Sequence, residues 1–356
     1  MDNNITYRKK DKGWQCIISY KDNLGQWKQK SKQGFKTQRD AKDFINTTLK
    51  ELESNTKNDS SLKSFDGTFK ELSQIYLDHI VLYKEYNTVK GYHNTFSKFN
   101  KLNDKSIKSI KRHDVQNIID DLIKEGLKTS TIQTYLRRLT VFFRYVLEDL
   151  NLIVDLPTTK IKIPKVNGET NKKALTKMEL ESLLLNLECN RYYIVAFIAA
   201  NTGMRLGEIL GLTWSDIDFK NCTVDVNKQW KLIRSKHSNF GTLKSKNSYR
   251  IIPVSLKFTK ELKKYKKNNP TDLYNRVATF NIASISKYLN PKLRELAGIS
   301  IHELRHTYAT TLISNGVDFK TAAKILGHDV EQTMRTYSHV NDDMVKRATN
   351  IIENVF

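Results

Sequence analysis

The sequence predicts a multidomain chain. A small α+β domain, a three-strand sheet plus a helix, comes first. An all-α domain follows, and then a larger, mostly-α domain with a small β-sheet. Three observations predict this order. The chain has 356 residues, too long for one ordinary core. Apolar side chains alternate at period two near the start and then recur at helical spacing. Two polar stretches without a clean period, near 56–64 and at 156–173, separate the patterned segments. The domains are therefore expected at 1–57, 65–155 and 174–356, with an interdomain linker at 156–173.

In the first segment Trp14, Cys16, Ile18 and Tyr20 alternate with other side chains, a strand signal. Asp22-Asn23-Leu24-Gly25 supplies turn chemistry. A returning strand carries Lys28, Lys30 and Lys32 on one face and is expected to break at Gly34. Thr37 is the expected cap of a helix striped by Ala41, Phe44, Ile45, Leu49 and Leu52. The lysine face reads equally as a DNA-groove reader or as a solvated strand.

Four helices are expected in the second segment. Thr68 and Glu71 form a capping box before Phe69, Leu72, Ile75 and Tyr76. A second helix starts near Thr88 and carries Val89, Tyr92, Phe96 and Phe99. Asp114 is the expected cap of the third and Gly126 its end. Ser130 or Thr131 caps the fourth, with Ile132, Leu136, Leu139, Phe143 and Val146 inward and Arg137, Arg138 and Arg144 outward. Such a basic face suits phosphate contacts or plain solvation. The linker, with Pro157, Pro164 and Gly168, is expected to be extended.

The third segment opens on a Thr176–Glu179 cap and an apolar helix from Tyr192 to Ala200. Short strands are expected at Thr223–Val226 and Tyr249–Val254. The run Gly241 to Pro253 reads as a β-hairpin with Lys244 near its tip. Residues 342–356 read as an amphipathic tail helix.

Composition narrows the partner. Sixty Lys+Arg against 38 Asp+Glu leave +22, spread along the chain, which favours a polyanion through counterion release and steering. Cys16, Cys189 and Cys222 are far apart, without metal-ligand spacing, and read as reduced thiols of a cytosolic protein. No signal-type apolar stretch opens the chain, and no apolar run is long enough to span a membrane.

Phosphodiester cleavage without a metal needs a nucleophile, cationic donors for the non-bridging oxygens, a proton donor for the leaving oxygen and in-line geometry. No carboxylate cluster of two-metal type is visible, so no metal or cofactor is expected. Arg205 and Glu208 share a helical face; alone they read as a structural salt bridge. In His302-Glu303-Leu304-Arg305-His306, His302 and Arg305 share a face. The same run matches the HExxH zinc pattern, but an arginine lies between the histidines and no third ligand follows. Gly327 ends a helix, His328 sits at the corner, and Tyr337 lies nine residues on. Alone, Tyr337 would be an ordinary structural aromatic.

Together and in this order, Arg205, Lys244, the HxLRH run, the LGH run and Tyr337 resemble the tyrosine recombinases, specifically the lambda-type integrases of phages and conjugative elements. The resemblance implies the integrase fold. It makes 1–57 an arm-site DNA-binding domain, 65–155 a core-site DNA-binding domain and 174–356 the catalytic domain. It implies that Arg205 and Arg305 clamp the scissile phosphate and that His328 donates to a non-bridging oxygen. His302 would assist the nucleophile's proton transfer, and Lys244, with Lys246 as the nearby competitor, would protonate the 5′-oxygen. Tyr337 would be the nucleophile. Glu208 matches a supporting acidic position, and Glu303 stands where the family usually has Asp. The implied partners are double-stranded DNA at core and arm sites, three further copies in a tetramer coupled by the tail helix in trans, an excisionase and a host DNA-bending protein. The implied place is the host cytoplasm, at the nucleoid. The competing readings are a chromosome-dimer-resolving recombinase, a type IB topoisomerase and a DNA-binding regulator without catalysis.

Overall fold

The computed structural model describes residues 3–10, 13–21, 27–49, 67–164, 174–234, 237–337 and 352. The chain divides into two compact units, 1–167 and 168–356.

The first unit opens with an antiparallel sheet in the order β1 (Asn3–Lys10), β2 (Gly13–Lys21), β3 (Trp27–Phe35). Cys16 and Ile18 are fully buried against Ala41 and Ile45, which belong to the turn and helix α1 (42–49) behind the sheet. Thr37 and Asp40 exchange hydrogen bonds at the start of that turn, as a capping threonine should. Leu52 lies outside the described residues.

One expectation for this sheet is corrected. The third strand does not stop at Gly34. Gln15 pairs with Gln33 and Trp14 with Phe35, so Gly34 is the extra residue of a bulge, and its φ of +97° suits glycine. Lys28, Lys30 and Lys32 share one face and are exposed, as expected. They stand opposite Tyr20, Ile18 and Cys16, and directly opposed residues share a sheet face. The lysines therefore flank the helix side, where the Lys32 ammonium lies 5.8 Å from the centre of the Phe44 ring. The opposite, open face carries Arg8, Gln15, Ser19, Gln29, Ser31 and Gln33, with Gln29 donating to Ser19 and Gln15 to Ser31.

The helical part of this unit comprises α2 (Phe69–Val81), α3 (Tyr86–Lys98), α4 (Arg112–Lys124) and α5 (Thr129–Arg144). The Thr68–Glu71 capping box forms at α2. Phe69, Phe99, Phe142 and Phe143 are fully buried. Three helix starts differ from expectation by two or three residues. Glu85, Lys111 and Lys128 occupy the cap positions, and Asp114 sits one turn inside α4, accepting the Lys111 N–H. Arg137 and Arg144 are exposed as expected, but Arg138 is not outward. Its guanidinium donates to the Gly91 carbonyl at 3.0 Å, and a Cβ on Gly91 would meet it at 2.6 Å. The first part of the expected linker is also built in. Ile161 and Ile163 pack on the helical core, and Gln116 both donates to and accepts from the Lys162 backbone.

In the second unit α6 (Lys177–Leu187) is capped by Thr176 with Glu179. Helix α7 (Tyr193–Thr202) is buried on nearly every side, as its uniform apolarity requires. After α8 (Leu206–Gly211) come β4 (Ile217–Asp218), β5 (Thr223–Val226), β6 (Gln229–Arg234), β7 (His237–Gly241) and β8 (Arg250–Pro253). The expected hairpin from Gly241 to Pro253 is not formed. β7 pairs with β6, and β8 pairs with β5 in the sheet β4-β5-β8. Lys244 thus lies in a loop between two sheets, before a single 3₁₀ turn at Lys246–Ser248. Then follow α9 (Leu256–Asn268), α10 (Ile282–Ser284), α11 (Asn290–Ala297), α12 (Ile301–Ser314), α13 (Phe319–Leu326) and α14 (Val330–Tyr337). The expected tail helix, apart from Ile352, lies outside the described residues.

Candidate active site

Helix α7 ends because Gly203 turns left-handed, with φ +60°. Only glycine fits there, since a Cβ would meet the Tyr308 ring at 2.5 Å. That turn frees the Gly203 carbonyl and places Arg205 at the cap of α8. Glu208, one turn on, accepts the Arg205 backbone N–H and its Nη1, both at 2.8 Å. Arg205 Nη2 donates to the Gly327 carbonyl at 3.0 Å. The Arg205 side chain stays 36% exposed, so part of its guanidinium still faces solvent.

Helix α12 presents His302 outward and Arg305 inward. Arg305 donates to the carbonyls of Gly203 and Leu326, each at 2.6 Å, and its Nη2 lies 2.8 Å from His328 Nε2. Glu303 caps the same helix, accepting from the Ser300 backbone and hydroxyl. Burial works to raise the Glu303 carboxyl, but those hydrogen bonds outweigh it and hold it low.

His328 follows Gly327, whose φ of +69° closes α13. Burial, then the charges of Arg305, Arg205 and Arg250, push the imidazole down to about 3. The ring is therefore neutral near pH 7. A guanidinium can only donate, so Nε2 accepts from Arg305 and the proton sits on Nδ1. That Nδ1 is buried and has no hydrogen-bond partner among the described residues.

Arg205, Lys244, His302, Arg305 and His328 line one cavity of about 490 Å³. Ser248, Asn247, Asp329 and Gln332 complete much of its wall. Five residues spread from 205 to 328 are thus brought together, and Lys244, not Lys246, is the lysine on the wall. Glu208 is buried behind Arg205. Tyr337 ends α14, the helix that leads away from His328; its side chain is not among the described atoms. Lys28, Lys30, Lys32, Arg137, Arg138 and Arg144 belong to the other compact unit.

Sequence reasoning missed Arg250. Its side chain is 2% exposed and pairs with Glu208 at 2.9 Å. Burial works to raise the Glu208 carboxyl, but Arg250 and Arg205 together hold it below the usual range. A usable signal existed: Arg250 shares the inward parity of Ile252 in β8, where a charge demands a partner. The zinc pattern gains no such support. His302 is exposed while His306 is 5% exposed, and no group of three metal-type side chains occurs among the described residues.

The phage integrase family matches residues 173–344, an arm DNA-binding domain matches 5–52, and the phage integrase N-terminal SAM-like domain matches 72–151. A tyrosine recombinase of Thermosipho africanus is 30% identical, across 78% of this chain and 98% of the relative. The ICEBs1 integrase of Bacillus subtilis is 25% identical, across 70% and 72%. Among solved structures, the Tn1549 transposon integrase in complex with a circular intermediate DNA superposes with a TM-score of 0.65 at 20% identity, covering 80% of this chain and 99% of that one. At that identity the likeness speaks for the fold.

Proposed function

The chain belongs to the phage integrase family of tyrosine recombinases, and on that premise we propose that it integrates and excises a mobile element through a 3′-phosphotyrosine bond at Tyr337. The observation that carries this reading is the convergence of Arg205, Lys244, His302, Arg305 and His328 on one cavity. Three permanent cations and two imidazoles match what a metal-free phosphoryl transfer asks of its walls.

The chemistry runs as follows. The Tyr337 oxygen attacks the scissile phosphorus and gives up its proton, with His302 assisting. The bond from phosphorus to the 5′-oxygen breaks, and Lys244 protonates the leaving oxygen. Arg205 and Arg305 stabilise the charge on the non-bridging oxygens. His328, on the same cavity wall, would donate to one of them. The phosphotyrosine conserves the energy of the broken phosphodiester, so a 5′-hydroxyl from a second duplex reverses the steps without ATP.

A nicked suicide duplex carrying the joint of the excised circular element tests this reading. Incubated with the full chain in excess EDTA, it should yield a denaturation-resistant protein–DNA adduct. No adduct in chelator, with adduct in magnesium, would sink the metal-free scheme.

The match of an arm DNA-binding domain over 5–52 favours an element integrase over a chromosome-dimer-resolving recombinase. We place the arm contact on the open sheet face of Arg8, Gln15, Gln29, Ser31 and Gln33, whose polar side chains suit groove edges. The helical segment 65–155 takes the core site, with Arg137 and Arg144 available to phosphates. Two duplexes then require a homotetramer, coupled by the tail helix in trans, with an excisionase and a host DNA-bending protein setting direction. Among the described residues no helix is long and apolar enough to cross a membrane. Deleting residues 1–55 should leave core-site cleavage within about threefold and cut integration between paired attachment sites by about a hundredfold, since only the second step needs arm contacts. Unchanged integration would remove the arm-binding role.

A further inference from the structure

Arg250 touches none of the groups assigned a chemical role above except through others, yet it holds three separate segments of the cavity wall. Its Nη2 pairs with Glu208 at 2.9 Å, the carboxylate that aims Arg205. Its Nε donates to the Ile325 carbonyl at 2.6 Å, in the last turn of α13, two residues before Gly327. Its Nη1 donates to the Ser248 carbonyl at 2.8 Å, in the turn that follows Lys244. The guanidinium also lies against Gly327, where a Cβ would meet Nη1 at 3.0 Å. One planar group thus sets the spacing between the Arg205 cap, the Lys244 loop and the His328 corner.

We propose that Arg250 is a positioning residue for strand cleavage, locking Arg205, the Lys244 loop and His328 in one register around the phosphate. The proposal rests on the reading of those three as phosphate-handling groups. Only a guanidinium can do this. Its N–H groups leave in fixed, diverging directions in one plane, and here they meet the Glu208 carboxylate and the Ile325 carbonyl, 42 and 75 residues away, and the Ser248 carbonyl in the turn just before β8. A lysine would keep the charge beside Glu208 but concentrate its donors at one point. Without the fork, α13 and the Lys244 loop are free to shift relative to Arg205. A displacement of about 1 Å can cost about a hundredfold in rate.

The test compares full-length Arg250→Lys with the unmodified chain on the nicked suicide duplex. Affinity is measured by titration, cleavage by single-turnover rate at saturating protein, and folding by thermal melting. Affinity is expected within about threefold and cleavage slower by about ten- to a hundredfold. Cleavage at the unmodified rate would overturn the proposal, as would a loss of cleavage that only follows a loss of affinity or of folded protein. Glu208→Gln/Arg250→Gln leaves no lone buried charge and guards against a variant that merely fails to fold. It too should bind and cleave slowly, and cleavage within threefold of the unmodified chain would overturn the proposal. The underlying reading fails in a distinguishable way: the unmodified chain would then form no adduct at all, which removes both.

Discussion

Tyr337→Phe is expected to abolish the covalent protein–DNA adduct, with strand cleavage falling by about 10⁴-fold or more and DNA affinity within about twofold. The substitution removes one oxygen and leaves the ring, so the change is confined to the attacking hydroxyl. Removing a nucleophile outright costs on that scale, because the remaining walls then have no bond to form. Competing tyrosines make the expectation specific. Tyr308 is close to the same machinery, packed over Gly203, but burial raises its phenol above the ordinary value, with Arg250 offsetting only part. A buried, raised phenol is a poor nucleophile at neutral pH. Tyr249 is 48% exposed but does not line the cavity. Mapping the adduct by peptide mass settles the matter. An adduct that persists in Tyr337→Phe would disprove the assignment.

Local chemistry was readable in the sequence, and distant chemistry was not. Thr68–Glu71 and Thr176–Glu179 form the capping boxes that three-residue spacing announces, and Gly126 and Gly327 stop helices with positive φ. The order Arg205, Lys244, His302, Arg305, His328 foretold one cavity, because each motif is short and self-identifying. Strand pairing was harder. Nothing within Gly241–Pro253 says that β7 turns back to β6 while β8 joins β5, since that choice depends on residues well outside the segment. Alternation showed that Lys28, Lys30 and Lys32 share a face, but not that helix α1 would lie on the same side. For Arg250, strand parity could mark a buried charge but not its partners. Its partners Glu208 and Ile325 are 42 and 75 residues away, and no local pattern marks the meeting point.

Arg305→Gln is expected to slow cleavage by about a thousandfold and, separately, to release His328. The rate loss follows from removing a fixed cation from the wall where phosphate charge develops; one such donor is worth about 10² to 10³ in rate. Arg305 is 3% exposed and held by two carbonyls at 2.6 Å, so its geometry is set before DNA arrives. The second effect has a definite sign. Burial and then the Arg305 charge depress His328 from 6.5 to about 3. The unfolded chain therefore binds a proton at this histidine below about pH 6.5, while the folded chain binds it only near pH 3. Unfolding takes up a proton in that window, so falling pH destabilises the native state there. Glutamine removes the second-largest cause, and burial, Arg205 and Arg250 remain. The His328 titration, followed by imidazole resonances, should move up yet stay below 6.5, and the acid-side loss of stability from this site should shrink. An unmoved titration would refute Arg305's hold on His328. A raised titration with undiminished cleavage would show that the two residues are coupled but that Arg305 does not serve the phosphate.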